Sequence, residues 1–216
     1  MTVEITVENA LLARARASHN TDDCMALYQE WAATYNEVLA DASQNYVAPV
    51  LVAQTALKWR PQPRGPILDA GCGTGLVGEA LSRSATVTVD GIDLSPAMLK
   101  VARQTGIYRD LDIGDLNHRI EKPDESYDIV TCAGTFTEGH VGPDPALREF
   151  LRVTKKNGLV VATILNKIWK SGGYKTEIEK LEAEGLLKVL SMEIKDYRKG
   201  AGDKATFVVL EKIVST

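Results

Sequence analysis

The chain has 216 residues, and with 44% of them hydrophobic it carries enough apolar material for the core of one domain. Its formal net charge of -4 argues against the broad basic surface that nucleic-acid binding needs, so we expect no nucleic-acid partner. Three cysteines, Cys24, Cys72 and Cys132, have neither a close pair nor metal-ligand spacing, which is typical of reduced intracellular thiols, and we predict no metal.

The chain begins with a segment that reads as helical. Residues 1–6 lack a basic region followed by an apolar core, and no apolar run approaches the length of a membrane span, so we expect a soluble, cytoplasmic protein with no membrane partner. Apolar patterns over 28–39 and 46–59 predict two helices, which the proline-rich run 61–66 ends. We predict a single domain over 1–216, with a helical cap at 1–60 and a core at 65–216.

The rest of the chain alternates between strands and helices. Strands are predicted at 67–69, 87–93, 108–112, 127–132 and 158–164, with helices at 76–82, 96–105 and 145–153 between them. After a helix at 176–184, two β-rich runs at 187–197 and 205–213 read as an antiparallel hairpin. This alternation predicts an α/β fold: a seven-stranded, mostly parallel sheet with helices on both faces.

The loop after the first strand carries the most specific signal. Asp69-Ala70-Gly71-Cys72-Gly73-Thr74-Gly75 places alternate glycines after an acidic residue, and glycines let the backbone turn sharply and approach a ligand closely. The run from Gly73 to Gly78 also satisfies the G-x-G-x-x-G fingerprint of nicotinamide dehydrogenases. Asp69 favours a cofactor with a cationic amino acid group over an anionic pyrophosphate.

With these motifs the sequence resembles the class I S-adenosylmethionine-dependent methyltransferases, whose first motif is acid-x-Gly-x-Gly-x-Gly after a strand. The resemblance implies a Rossmann-like core, a loop that wraps the methionine end of the cofactor, and a second acid that binds both ribose hydroxyls. Asp93 is that acid, because it precedes Leu94-Ser95 at the start of a helix, whereas Asp90 is structural. The loop residues implied to bind the cofactor are Asp69, Ala70, Gly71, Cys72, Gly73, Gly75 and Leu76.

Further cofactor residues follow from the same resemblance. Asp115 would accept a hydrogen bond from the adenine amino group, with Asp112 as its rival. The aromatic segment before the core forms either a lid over the methionine end or an ordinary packed stripe. Leu94 and Met98 either floor the adenine or belong to the core. The predicted cofactor set is completed by Tyr28, Trp31, Tyr35, Leu94, Met98, Gly114, Leu116, Ala133 and Gly134.

The loop after the fourth strand is the predicted acceptor side. His140 could take a proton from an acceptor oxygen or nitrogen, and Glu138 could orient it or hold a cationic amine; the alternative is that His140 is structural. Asn166, just beyond the fifth strand, contacts the acceptor or caps a loop.

The order of motifs, from Trp-Ala-x-x-Tyr to Gly-His-Val, is similar to the Williams-Beuren-region methyltransferase-like proteins over most of the chain. Asn36 stands where such sequences often have Asp. We therefore predict an enzyme that binds S-adenosyl-L-methionine and methylates an oxygen or nitrogen of a small molecule, releasing S-adenosyl-L-homocysteine. The alternatives are a protein that binds these compounds without catalysis and a methyltransferase acting on a protein. We expect a monomer or homodimer.

Overall fold

A single seven-stranded sheet organises the chain. The structure is a computed structural model that describes residues 21–213. The sheet has the order β3-β2-β1-β4-β5-β7-β6. Its strands are β1 (Ile67–Ala70), β2 (Val89–Asp93), β3 (Tyr108–Ile113), β4 (Tyr127–Phe136), β5 (Thr154–Leu165), β6 (Leu187–Arg198) and β7 (Asp203–Lys212). β1 to β5 pair in parallel, whereas β7 is antiparallel to both β5 and β6. The predicted α/β fold with a carboxyl-terminal antiparallel hairpin is confirmed.

Helices cover the sheet. They are α1 (Thr21–Trp31), α2 (Tyr35–Ala40), α3 (Ala48–Trp59), α4 (Leu76–Ser84), α5 (Pro96–Gln104), α6 (Ala146–Val153) and α7 (Tyr174–Ala183). The chain winds from β1 outward to β3 and then returns to place β4 on the other side of β1. In open α/β sheets such a reversal leaves a crevice at the carboxyl ends of the central strands, where ligands bind.

Two apolar cores lie on opposite faces of the sheet. In β1, Ile67 packs into a cluster with α3 and α4, and the next residue, Leu68, packs into a cluster with α6 and α7. Both side chains are fully buried, as the two-residue period of a strand with both faces covered requires. Burial of each such side chain contributes roughly 1.5–3 kcal/mol.

The amino-terminal helices differ in where they pack. In α3 the small residues Ala48, Val52 and Ala56 recur every four positions and are fully buried against the sheet. α1 and α2 form a separate cluster around Leu27, Trp31, Val38 and Leu39. Thus α3 lies within the predicted cap range 1–60 but packs on the core. The single-domain organisation and its boundaries stay predictions.

Several element bounds differ from those expected. The helix predicted over 28–39 is interrupted between α1 and α2, where the Thr34 N–H donates to the Trp31 carbonyl in a tighter turn. β5 begins at Thr154 instead of 158, because the chain enters the sheet before an irregularity at Asn157, whose φ is 58°. α5 begins as predicted: Ser95 caps it by accepting the Met98 N–H at 3.4 Å, and Pro96 is its first residue.

Parts of the sequence interpretation lie outside the described residues, namely the first residues 1–6 and the side chain of Cys24. Cys72 and Cys132 are free and buried. Within 21–213, no helix combines the length and the apolar character needed to cross a membrane.

Candidate functional site

The glycine loop between β1 and α4 is shaped by positive φ angles. Gly71, Gly73 and Gly75 have φ of 72°, 54° and 100°. A Cβ at Gly71 would stand 2.0 Å from Thr135 Oγ1, so no larger residue fits there. The Gly73 N–H donates to Asp93 Oδ2 at 2.8 Å, which ties the loop to the end of β2.

Asp93 organises the floor of this loop. Its other carboxylate oxygen accepts the Ser95 N–H at 2.9 Å, at the start of α5. Burial raises the pKa of Asp93, and the hydrogen bonds that its carboxylate accepts from backbone N–H groups counteract that rise. The Asp93 side chain therefore joins the loop, β2 and α5 at a single point.

A cavity opens above the loop at the carboxyl ends of β1, β2 and β4, which we call the glycine-loop cavity. Most of the predicted cofactor residues meet there. Those that line it are Tyr28, Tyr35, Gly71, Gly73, Asp93, Leu94, Met98, Gly114, Asp115, Leu116, Ala133 and Gly134, joined by His140 from the predicted acceptor side.

Six predicted cofactor residues do not line this cavity. Asp69 is fully buried behind the loop, where Tyr108 Oη donates to it at 2.8 Å and Thr131 Oγ1 at 3.2 Å. Burial raises the pKa of Asp69 to about 7, although these two hydroxyl donors oppose the rise. Its carboxyl group is thus satisfied inside the protein and does not reach the cavity. The others are Trp31, which lines a neighbouring cavity, and Ala70, Cys72, Gly75 and Leu76, which turn into the sheet or begin α4.

The structure separates the rival carboxylates. Asp90 is 1% exposed and binds both Nε and Nη2 of Arg109, at 2.9 and 2.6 Å, outside the cavity. This is the structural role predicted for it. Asp115 lines the cavity, whereas Asp112 pairs with Lys122 at 2.6 Å on an exposed strand.

A second cavity of about 240 Å³ adjoins the first, and we call it the aromatic cavity. Helices α1 and α2, the loop before α3 and the end of β6 enclose it. Its rings are those of Tyr28, Trp31, Tyr35, Tyr46 and Tyr197. The two cavities share four residues: Tyr28, Tyr35, Gly134 and His140. The rings of the amino-terminal helices therefore border both cavities.

His140 stands at this border in a defined orientation. Its Nδ1 lies 2.9 Å from the Glu138 carbonyl and 2.9 Å from Thr137 Oγ1, and Nε2 lies 3.4 Å from Tyr28 Oη. A carbonyl only accepts, so Nδ1 carries the proton and Nε2 is the nitrogen that accepts, here from the Tyr28 hydroxyl. Burial lowers the pKa of His140, and the bond to the Glu138 carbonyl opposes that change. The predicted orienting role of Glu138 thus falls to its backbone, while its exposed side chain lines the aromatic cavity.

Sequence reasoning missed several residues. Thr74 Oγ1 donates to Asn36 Oδ1 at 2.5 Å, joining α2 to the glycine loop. Asn117 lines the glycine-loop cavity and donates from Nδ2 to the His140 carbonyl at 3.2 Å. Tyr197 and Arg198 line the aromatic cavity from the end of β6. Their spacing in the sequence carries no signal, because only the folded hairpin brings them near α1.

Comparison with known proteins adds a family context. Residues 67–158 match the model of a methyltransferase domain. The chain is 35% identical to methyltransferase-like protein 27 of Homo sapiens over 157 residues, covering 70% of this chain and 62% of that protein. It is 34% identical over 143 residues to a ubiquinone biosynthesis O-methyltransferase of Pseudomonas savastanoi pv. phaseolicola, covering 62% of this chain and 56% of that protein. The chain therefore spans only about three fifths of the length of these relatives.

Solved structures share the fold. A TehB-like S-adenosylmethionine-dependent methyltransferase from Corynebacterium glutamicum superposes with a TM-score of 0.61 at 24% identity, covering 88% of this chain and 99% of that one. The [4+2]-cyclase SpnF superposes with a TM-score of 0.68 at 18% identity, covering 92% and 98%. At these identities the likeness concerns the fold alone, and the reaction has to be argued from the site.

Proposed function

Because the chain belongs to the class I S-adenosylmethionine-dependent methyltransferases, we propose that it binds S-adenosylmethionine in the glycine-loop cavity and methylates a small molecule held in the aromatic cavity. The proposed acceptor atom is an oxygen or a nitrogen. The name of the bacterial relatives, ubiquinone biosynthesis O-methyltransferase, supports a small-molecule acceptor.

The residues of the glycine-loop cavity fit an adenosyl compound. Asp93 offers carboxylate oxygens to ribose hydroxyls, and Asp115 offers them to an adenine amino group. The Gly73 N–H is already bonded to Asp93 and so does not point freely at a pyrophosphate, as a nicotinamide dinucleotide would require. This donor pattern favours S-adenosylmethionine over a dinucleotide.

The observation that carries the proposal is the shared border of the two cavities. Methyl transfer needs the nucleophile and the methyl carbon in line and close together, and a site that holds two reactants side by side supplies that geometry. Tyr28, Tyr35, Gly134 and His140 line both cavities, so ligands in the two cavities would meet at these residues.

His140 supplies the proton acceptor. When bound, S-adenosylmethionine provides a methyl group that its sulfonium makes electrophilic. The residues of the glycine-loop cavity would hold this cofactor so that the acceptor atom could take its methyl group, and His140 Nε2 would accept the proton that the acceptor atom loses. Burial lowers the pKa of His140, so its imidazole is neutral and ready to accept that proton at neutral pH.

Binding without methyl transfer is the second candidate function. A protein named as a [4+2]-cyclase shares the fold, and because the fold alone does not fix the reaction, methyl transfer has to be tested separately from binding. A cytoplasmic location and a monomeric or homodimeric state stay predictions.

Calorimetric titration of the purified protein with S-adenosylmethionine, S-adenosylhomocysteine and NAD tests the cofactor assignment. We expect both adenosyl compounds to bind and NAD not to bind. Asp93→Ala should weaken S-adenosylhomocysteine binding by about tenfold or more, because the variant removes the carboxylate from the cavity and releases Gly73 and Ser95.

The matched control is Asp112→Ala, which removes an exposed carboxylate outside the cavity. It should bind S-adenosylhomocysteine as the unmodified protein does. Binding of NAD in place of the adenosyl compounds, or equal effects of the two substitutions, would contradict the assignment.

A further inference from the structure

Two buried hydrogen-bond donors lining the aromatic cavity have no acceptor. Trp31 is 2% exposed and Arg198 is 7% exposed. Within the described chain, neither the indole Nε1–H of Trp31 nor the Nε–H of Arg198 meets a hydrogen-bond acceptor. A buried donor left without an acceptor destabilises the folded protein, and such groups call for an explanation. Both residues line one cavity while the two donor atoms lie behind its surface, so a ligand with acceptor oxygens would satisfy them once the two side chains turn toward it.

Side chains of the protein already accept hydrogen bonds from part of the Arg198 guanidinium. Its Nη2 donates to Asp203, and its Nη1 lies 3.5 Å from Gln44 Oε1. These contacts orient the planar group from one side and leave Nε without a partner. A guanidinium has five donors in a fixed fork and pairs best with an anionic oxygen group such as a carboxylate.

The walls of the cavity favour a flat ring. The Trp31 and Tyr35 rings lie 4.8 Å apart at 67°, and the Tyr46 and Tyr197 rings lie 5.0 Å apart at 64°. Aromatic side chains arranged edge to face offer ring faces and edges on which an aromatic ligand can pack. The volume of about 240 Å³ lies below the range of typical drug-sized sites, which suits a compound of one or two rings.

Cations outnumber carboxylates among the side chains that line the cavity, which argues against a cationic ligand. Lys167, Lys204 and Arg198 line it together with two carboxylates, those of Glu138, which is exposed, and Asp203, which Arg198 engages. Burial raises the pKa values of Tyr46 and Tyr197, so their hydroxyls stay protonated; the two hydroxyls bond to each other, which leaves one of their protons for a ligand. Lys204 pairs with Asp196, so it adds little net charge. The polar surface is therefore rich in donors and suits a ligand rich in acceptors.

We propose that the aromatic cavity binds a small aromatic acid. One oxygen of its carboxylate accepts hydrogen bonds from Arg198, the other accepts from Trp31, and its hydroxyl faces His140 where the two cavities meet. This inference rests on the proposed function, since it names the chemical class of the methyl acceptor.

The test uses protein saturated with S-adenosylhomocysteine. Calorimetry measures the affinity of para-hydroxybenzoate and para-coumarate against their neutral counterparts, para-hydroxybenzyl alcohol and para-coumaryl alcohol, and against cationic para-hydroxybenzylamine. We expect at least one acid to bind about tenfold more tightly than its alcohol, because a hydrogen bond to a charged group is stronger than one between neutral groups. The amine should bind more weakly than either.

Two variants locate the acid. Trp31→Phe removes the indole N–H and keeps an aromatic ring. Arg198→Met combined with Asp203→Asn removes both charges of the Arg198–Asp203 ion pair together. Both should lose the preference for the acid and retain S-adenosylhomocysteine binding. Lys188→Met is the control, because it removes an exposed cation from the same strand as Arg198 outside the cavity.

The outcomes separate the two proposals. If the unmodified protein does not bind S-adenosylhomocysteine, the proposed function itself is wrong. If that compound binds but neither acid exceeds its alcohol, if the amine binds best, or if the preference survives in either variant, the aromatic-acid inference is wrong. In that case the two donors are satisfied by buried water alone.

Discussion

The imidazole of His140 is held in one tautomer by its own loop. The Glu138 carbonyl accepts from Nδ1, which leaves Nε2 as an acceptor for the Tyr28 hydroxyl at 3.4 Å. Because no carboxylate contacts the ring among the described residues, burial dominates and lowers the pKa of His140. This state suits the base that we propose, which would be neutral before methyl transfer and would become charged only on taking the acceptor proton.

A histidine titration by NMR checks this electrostatic state. We expect the ring resonance that disappears in His140→Gln to titrate below the usual value of about 6.5. Since the unfolded chain then binds a proton more readily than the folded one, the stability that this group provides is present above about pH 6.5 and is lost as the pH falls. His140→Gln should flatten that part of the dependence of the unfolding free energy on pH.

His118 provides the matched control, because it is an exposed imidazole on a neighbouring loop paired with Asp115. His118→Gln should leave the His140 resonance in place. A titration of His140 at or above 6.5 would show that its environment favours the charged form, and the proposed role as a neutral base would have to be abandoned.

At the scale of elements, the sequence predicts what local patterns encode. Residues close together in sequence determine the alternation of strands and helices, the Ser95 cap and the glycine loop. Their positions can therefore be predicted from local sequence patterns. The lining of the glycine-loop cavity by Asp93 and Asp115 follows from strand ends that meet at one edge of a parallel sheet.

Other parts of the site depend on contacts distant in sequence. Asp69 belongs to the predicted cofactor motif, but the hydroxyls of Tyr108 from β3 and Thr131 from β4 donate hydrogen bonds to its carboxyl group. Arg198 reaches the aromatic cavity only because β6 and the loop before α3 pair across the molecule. Such pairings follow from tertiary packing, which no periodicity in the sequence reports.

The hydrogen bond from Thr74 to Asn36 connects two elements and makes an element-scale prediction. Thr74 is buried, and its hydroxyl links the glycine loop to α2, whose first residue Tyr35 lines both cavities. Thr74→Val and Asn36→Ala should each lower the unfolding free energy by about 1 kcal/mol, because each leaves the other partner unsatisfied. The double variant should cost less than the sum.

Both single variants should also weaken S-adenosylhomocysteine binding in calorimetry, because Tyr35 is no longer fixed relative to the loop. The control is Thr55→Val, whose hydroxyl donates to the Leu51 carbonyl inside α3. It should leave the affinity unchanged. Additive free energies together with normal affinity in Thr74→Val would show that this bond does not couple the cap to the loop.

At the scale of the whole molecule, the amino-terminal segment is docked on the carboxyl-terminal hairpin. The Lys199 and Gly200 N–H groups each donate at 3.1 Å, to the carbonyls of Asn45 and Gln44, and the Val47 N–H donates to the Tyr197 carbonyl at 3.1 Å. The segment between α2 and α3 carries Tyr46, so this docking builds one wall of the aromatic cavity. Segments far apart in the described chain thus assemble the aromatic cavity, the proposed acceptor side, while β1, β2 and α5 form much of the glycine-loop cavity, the proposed cofactor side.

A substitution at Gly200 tests whether the two cavities can be perturbed separately. A Cβ there would lie 2.3 Å from the Ala42 carbonyl oxygen and 2.4 Å from that of Ser43, so Gly200→Ala must push the docked segment away. We expect a cost of about 1–3 kcal/mol in unfolding free energy, as for other overpacked sites, and a lower Tm. Because Tyr46 lines only the aromatic cavity, binding of para-hydroxybenzoate or para-coumarate should fall while S-adenosylhomocysteine affinity stays unchanged. Ala201→Ser, an exposed change in the same turn, should alter neither. Equal losses of both ligands in Gly200→Ala would mean that the two sides of the site do not fold as separable parts.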